Sequence, residues 1–240
     1  MIILNARATD NAALNESVRA AKDGCEIIGC IGERFIGAGL SDRTISIKGI
    51  PGNALGAYLN GAKIIVDGNA QDAVGDTMNA GEIVVRGNTG DAAGYAMRGG
   101  KIYVRGNAGY RTGIHMKEYG SRFPVIVIGG RCGSFLGEYQ AGGLIVVLGL
   151  HDDGKRIVGN FPCAGMHGGK VLLRGNADGV VFPDKVTARP ATAEDMAPAT
   201  GYIKEFCAAF GIDENEVLRS PFTVVTPDSA NPYKRMYVEN

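Results

Sequence analysis

The chain has no excess of either charge: Lys+Arg and Asp+Glu number 25 each among 240 residues. Proteins that track phosphate backbones gain affinity by releasing counterions from a basic surface, so nucleic acid is not the expected partner. Long apolar runs are also lacking. None approaches the roughly 20 residues needed to cross a bilayer, and Met1 to Arg7 lacks the layout of a signal peptide, so a cytoplasmic protein without a membrane partner is expected. Cysteine is sparse. Cys25, Cys30, Cys132, Cys163 and Cys207 are too scattered for a disulfide framework and include no C-x-x-C pair, which leaves them as reduced thiols. The remaining composition, 45% apolar and 21% charged, is ordinary for a chain that buries a sizeable core.

Glycine is missing from the first 23 residues and then abundant. Of 37 glycines, 35 lie from Gly24 to Gly179, and only Gly201 and Gly211 follow. The distribution divides the chain into a head (1–24), a glycine-punctuated body (25–182) and a tail (183–240).

The body repeats. Ile45, Ile64, Ile83 and Ile102 fall 19 residues apart, and Ile47/Val66/Val85/Val104, Gly49/Gly68/Gly87/Gly106 and Gly56/Gly75/Gly94/Gly113 keep the same register. Beyond Gly106 the columns continue, with insertions, as Val125/Val127/Gly129, Ile145/Val147/Gly149 and Val171/Leu173/Gly175; backwards, Ile28 and Gly37 align with Ile47 and Gly56. Stretches such as Lys63-Ile64-Ile65-Val66 are short, β-branched and bounded by turn residues, as strands are. A unit of this length cannot bury its apolar face alone, so successive units must stack, each strand pairing in parallel with the next. The expected fold is all-β: a single-stranded parallel β-helix with coils of about 19 residues, glycines turning the corners, and Asn69, Asn88, Asn107 and Asn176 as their polar turn residues. A left-handed acyltransferase-type helix would need a six-residue subperiod, and only one strong strand per unit is present. The cluster Gly49-Ile50-Pro51-Gly52-Asn53-Ala54-Leu55-Gly56 could cradle a pyrophosphate, but its repetition marks it as architecture.

Both ends of such a helix need covers. Asp10 to Asp23 reads as a short helix with Asp10 near its N-cap; the tail carries an apolar helical face (Tyr202, Ile203, Phe206, Cys207, Phe210) ending at Gly211, then a second short helix opened by Asp213-x-x-Glu216. Phe222 to Tyr237 reads as an extended arm. The residues between the inward pairs are apolar too: Ile65, Val84, Tyr103, Ile126, Val146 and Leu172. Such a stripe is covered either by the chain's own arm and loops or by a partner, and it is the candidate partner interface.

Candidate chemistry is thin. His115, His151 and His167 show no zinc-ligand spacing. Asp72 with Asp76, and Glu118 beside Lys117, could do acid–base work but sit among turn residues, and Cys132 and Cys163 lack an assigned base. No catalytic, cofactor-binding or metal-binding residue is assigned. A like-charge stack of Arg86 over Arg105 would favour an acidic neighbour.

Several segments carry a resemblance. Gly32-Glu33-Arg34-Phe35-Ile36-Gly37, Gly49-x-Pro-Gly-Asn-x-x-Gly56-Ala57, Gly68-Asn69-Ala70-Gln71-Asp72-x-Val74-Gly75, Cys132 to Gly149 and Ala164-Gly165-Met166-x-Gly168-Gly169 together resemble the GXGXG domain of the glutamate synthase large subunit, across residues 25 to 180. The head and the ending Asn231-Pro232-Tyr233 to Tyr237 are similar to the separately encoded version in split enzymes. The resemblance implies a right-handed β-helix that links a glutaminase (amidotransferase) subunit to a flavin-containing synthase subunit without catalytic residues of its own. FMN and an iron–sulfur cluster are then expected in a partner and no cofactor in this chain, whose start Met1-Ile2 lacks the glutaminase's N-terminal cysteine. Self-association is expected as well. Two alternatives stand beside this one: a scaffold subunit of a one-carbon complex such as formylmethanofuran dehydrogenase, whose C subunit shares the repeat, and a self-contained β-helical enzyme.

Overall fold

The structure is a computed structural model, and it describes residues 1–151 and 154–228. The part of the expected arm beyond Asp228, through Tyr237, lies outside the described residues. In chain order come β1 (Ile2–Asn5), a 3-10 turn (Ala6–Ala8), α1 (Asn11–Ala20), β2 (Cys25–Ile31), β3 (Thr44–Ile50), β4 (Asn60–Asp67), β5 (Ala80–Val85), β6 (Lys101–Val104), β7 (Val125–Ile128), β8 (Ala141–Val147), β9 (Gly168–Arg174), β10 (Val186–Pro190), α2 (Ala193–Phe210), α3 (Glu214–Leu218) and β11 (Phe222–Pro227).

β1 to β9 pair in parallel in chain order, one strand per coil, so the chain is a parallel β-helix with a repeat of about 19 residues, as the columns require. Two ladders fill its interior: Cys25, Ile45, Ile64, Ile83, Ile102, Ile126, Ile145 and Val171, and beside them Ile27, Ile47, Val66, Val85, Val104, Ile128, Val147 and Leu173, all fully buried.

This register corrects two sequence assignments by one residue. Ile126, placed on the outer stripe, pairs with Ile102 and lies in the core, whereas Val125 and Val127 pair with Lys101 and Tyr103. The preceding insertion hides the slip because Gly129 and Gly130 are adjacent, and it is Gly130 that bonds back to Gly106. At the other end Ile27, not Ile28, meets Ile47, since the β2–β3 register shifts between Ile28 and Cys30. A one-residue shift turns a strand's side chains to the opposite face, so each slip exchanges inside for outside.

The corners explain the glycines. Each of seven corners alternates left-handed residues at three positions two apart: Phe35/Gly37/Gly39, Ala54/Gly56/Tyr58, Ala73/Gly75/Thr77, Ala92/Gly94/Ala96, Arg111/Gly113/His115, Phe135/Gly137/Tyr139 and Phe161/Cys163/Gly165. The middle position faces the core. A Cβ there on Gly56, Gly75, Gly94 or Gly113 would meet an isoleucine Cδ1 of the interior ladder at 2.4–2.7 Å, so space as well as φ selects glycine. Between corner and strand, side-chain oxygens tie successive coils: Asn69, Asn88 and Asn107 Oδ1 accept from the N–H of Asn88, Asn107 and Arg131, and Asn53, Asp72 and Asp91 repeat the device toward Asp72, Asp91 and Tyr110. Asn69, Asn88 and Asn107 thus do more than favour a turn, because each satisfies a backbone donor of the next coil.

The ends are covered by the head and tail. α1, N-capped by Asp10, closes one end of the interior with Leu14 and Val18. β11 adds antiparallel to β9 and is followed in the sheet by β10, so the described part of the expected arm is a strand sealing the last coil.

Candidate functional site

The outer stripe is the site that sequence singled out, and pairing shows its composition: Ile65, Val84, Tyr103, Val127, Val146 and Leu172, continued by Val224. It is covered from within the chain. Ala199, Ile203, Phe206, Cys207 and Phe210 of α2 pack on it, leaving Val84, Tyr103, Val146 and Leu172 buried and Ile65 half-buried at the rim. Sequence leaves the arm or loops and a partner as possible covers; the cover is the tail helix. Any partner at this place meets the outer side of α2, and the corresponding candidate interface residues Ile65, Val84, Tyr103, Val146 and Leu172 lie beneath it.

α2 is held there by design visible in its residues. Thr192 and Asp195 form a capping box at its start, and Gly211 in the left-handed conformation ends it. Phe206 meets Tyr103 edge-on at 6.2 Å and Phe210 at 4.8 Å. Tyr103 Oη donates to Glu205 Oε2 at 2.8 Å, and Lys101 Nζ bridges Glu205 and Glu82 at 2.5 and 3.4 Å. Burial opposes ionisation of Glu205, but the hydrogen bonds from Lys101 and Tyr103 outweigh it and hold its pKa below the usual carboxylate value.

The other candidates are placed as follows. All five cysteines are free and buried. Burial pushes the Cys163 thiol up to about 12 and raises Cys132 as well, with a hydrogen bond to Thr112 acting in the opposite sense, so both stay protonated near neutral pH and are poor nucleophiles. Asp72 Oδ1 accepts from the Asp91 N–H, Asp76 from Thr77 Oγ1 and Glu118 from the Gly143 N–H, so these carboxylates serve the corners. Arg86 is countered by Asp67 at 2.8 Å, which resolves its stacking over Arg105.

Two histidines that sequence spacing keeps apart come together. His115 and His167 line one side groove of about 490 Å³ with Tyr95, Arg98, Lys117 and Tyr139. The His115 ring stacks on Tyr139 at 5.2 Å and 9°, and Tyr95 meets it edge-on at 6.0 Å. His167 Nδ1 lies 3.0 Å from the Gly165 carbonyl oxygen. The signal for this grouping was present, since His115 and Tyr139 occupy equivalent corner positions, but it becomes legible only once the insertion between them is aligned.

The comparisons with known proteins agree with this architecture. The model of the GXGXG motif family matches residues 5–228. The uncharacterized protein MJ1350 of Methanocaldococcus jannaschii is 42% identical over 237 residues, covering 95% of this chain and 91% of its own. Among solved structures, a chain of the formyltransferase/hydrolase complex FhcABCD of Methylorubrum extorquens, in complex with methylofuran, aligns with a TM-score of 0.61 at 21% identity over 85% of this chain and 73% of that one, a likeness of fold. With nearly its whole length matched, the chain belongs to the GXGXG motif family, the domain found in the C-terminal region of the glutamate synthase large subunit.

Proposed function

We propose that this protein is a non-catalytic structural subunit of a split glutamate synthase-like complex in the cytoplasm, linking a glutaminase subunit to a synthase subunit that carries FMN and an iron–sulfur cluster. The observation that carries this reading is the family match across an uninterrupted solenoid. A stack of coils tied by ladders and side-chain oxygens is a stiff spacer, and stiffness is what holding two active sites in fixed relation requires. The burial of Cys132 and Cys163 among apolar neighbours supports the view that the chemistry lies in the partners. The five free cysteines accord with a reducing compartment, and among the described residues no helix is long and apolar enough to cross a membrane. Self-association belongs to the same reading and falls to the outer edge of β1, where Ile2 and Ile3 are exposed.

A second reading is favoured by one observation, the fold shared with a chain of the FhcABCD formyltransferase/hydrolase complex: here the same stiff body would serve as a subunit of a one-carbon, formyl-transferring complex. Purification of the tagged protein from its native source, followed by identification of the stoichiometric subunits, separates the two. Glutaminase and flavin/iron–sulfur subunits support the first reading, formyl-transferring subunits the second, and a chain that elutes alone under all salt conditions contradicts both.

A further inference from the structure

At the outer left-handed positions of each corner, glycine meets the backbone's demand without strain, as Gly39 and Gly165 do. The chain instead holds Tyr58, His115 and Tyr139 at φ values of 57, 55 and 52° in that column and leaves them exposed. Left-handed non-glycine residues recur at every corner, so the backbone itself marks no site; what this column adds is aromatic rings presented to solvent. Two of these rings, His115 and Tyr139, form the stacked wall of the side groove, with Tyr95 edge-on to it.

Beside the rings stand Arg98 and Lys117 on neighbouring coils. Among the described residues no carboxylate lines the groove and neither cation makes an ion pair; Arg98 Nε donates to the Ala96 carbonyl oxygen at 3.0 Å. Two acidic residues adjacent in sequence to groove residues are engaged elsewhere, Glu138 with Arg111 at 3.2 Å and Glu118 with the Gly143 N–H at 2.9 Å. Ala96 and Ala141, small residues between the larger ones, leave the floor open. Adjacent cations without counter-charge repel each other, which a bound anion relieves, and the planar guanidinium fork matches a carboxylate. The geometry points to a binding site for a small planar aromatic ring carrying a carboxylate: the ring lies against Tyr95, His115 and Tyr139, and the carboxylate against Arg98 and Lys117. The site is a property of this chain alone, and its test is independent of which complex the protein joins.

Calorimetric titration of the full chain at low ionic strength with three probes tests it: isophthalate, which has ring and charge; glutarate, charge without ring; and benzyl alcohol, ring without charge. Isophthalate saturates one site per chain, and glutarate and benzyl alcohol bind at least about tenfold more weakly. Arg98→Ala and Tyr139→Asn each weaken isophthalate by about tenfold or more, while Phe161→Asn, at a corner outside the groove, leaves it unchanged. Asparagine is tolerated in the left-handed conformation, so Tyr139→Asn removes the ring and keeps the corner, which an unchanged melting temperature verifies. Absence of saturable isophthalate binding, equal affinity for glutarate, or affinity unmoved by both Arg98→Ala and Tyr139→Asn overturns the proposal.

Discussion

A Cβ atom on Gly94 would stand 2.4 Å from Cδ1 of Ile126, a ladder residue two strands further along the helix. The middle corner glycine is therefore fitted against the interior ladder, not merely permitted to turn. With φ of 70° at this position as well, Gly94→Ala is expected to cost about 2–4 kcal/mol by denaturant unfolding, from backbone strain and overpacking together. Ile126→Val deletes the obstructing methyl, so the double variant recovers part of the loss. Strict additivity of the two changes would place Ile126 away from Gly94.

The asparagine ladder offers a milder test. Asn88 Oδ1 accepts from the Asn107 N–H at 2.7 Å, and Asn88→Ala leaves that donor to water. A loss of about 0.5–1.5 kcal/mol is expected, since the site is exposed and water replaces part of the bond. Thermal melts of Asn88→Ala beside the equivalent Asn69→Ala should agree, because both side chains do the same work one coil apart.

Phe206 is the anchor of the tail helix, fully buried against Tyr103. Phe206→Ala is expected to destabilise by about 3–5 kcal/mol and to loosen α2 from the stripe it covers. Exposed Val84, Val127 and Val146 then bind a hydrophobic dye and promote self-association on size-exclusion chromatography. A variant with unchanged stability and elution would show that α2 contributes little to the cover.

At the start of that helix, a hydrogen bond from Arg189 and another from the Thr192 N–H hold the Asp195 carboxyl well below the usual carboxylate range. Its folded-state pKa is below the unfolded value of about 3.9, so its stabilising contribution is present in full above that value and is lost as the pH falls through the folded pKa. Asp195→Asn should lower the melting temperature at pH 7, and the gap to the unaltered protein should narrow below about pH 3. A gap independent of pH would assign the effect to the cap's geometry alone.

The fold was legible where the chemistry repeats without interruption. Four columns at one period from Ile45 to Gly113 require stacked coils, and the pairing of β3 to β6 follows them residue for residue. Legibility failed at the insertion before Val125, because adjacent Gly129 and Gly130 fit the pattern equally and only the hydrogen bond to Gly106 chooses. The outer left-handed positions were invisible since alanine, threonine, arginine, histidine, phenylalanine and tyrosine occupy most of them; a side chain pointing to solvent has room that the middle position lacks. The cover on the stripe was half legible. An apolar outer face demands one, and the apolar side of the tail helix was apparent from Ile203, Phe206, Cys207 and Phe210, but nothing local states that the two faces meet. The side groove depends on residues from four successive coils and emerges only after they are stacked.

Under the proposed role, this chain holds catalytic partners in place without taking part in the chemistry. The most direct test of this role is glutamine-dependent glutamate formation by the separately purified glutaminase and flavin/iron–sulfur subunits, measured with and without this protein. The partners alone are expected to release ammonia uncoupled from synthesis, adding this chain is expected to couple the two, and the chain by itself is expected to do neither. Ammonia release by the isolated chain at an enzyme-like rate, or coupled synthesis that proceeds equally well without it, would contradict the account.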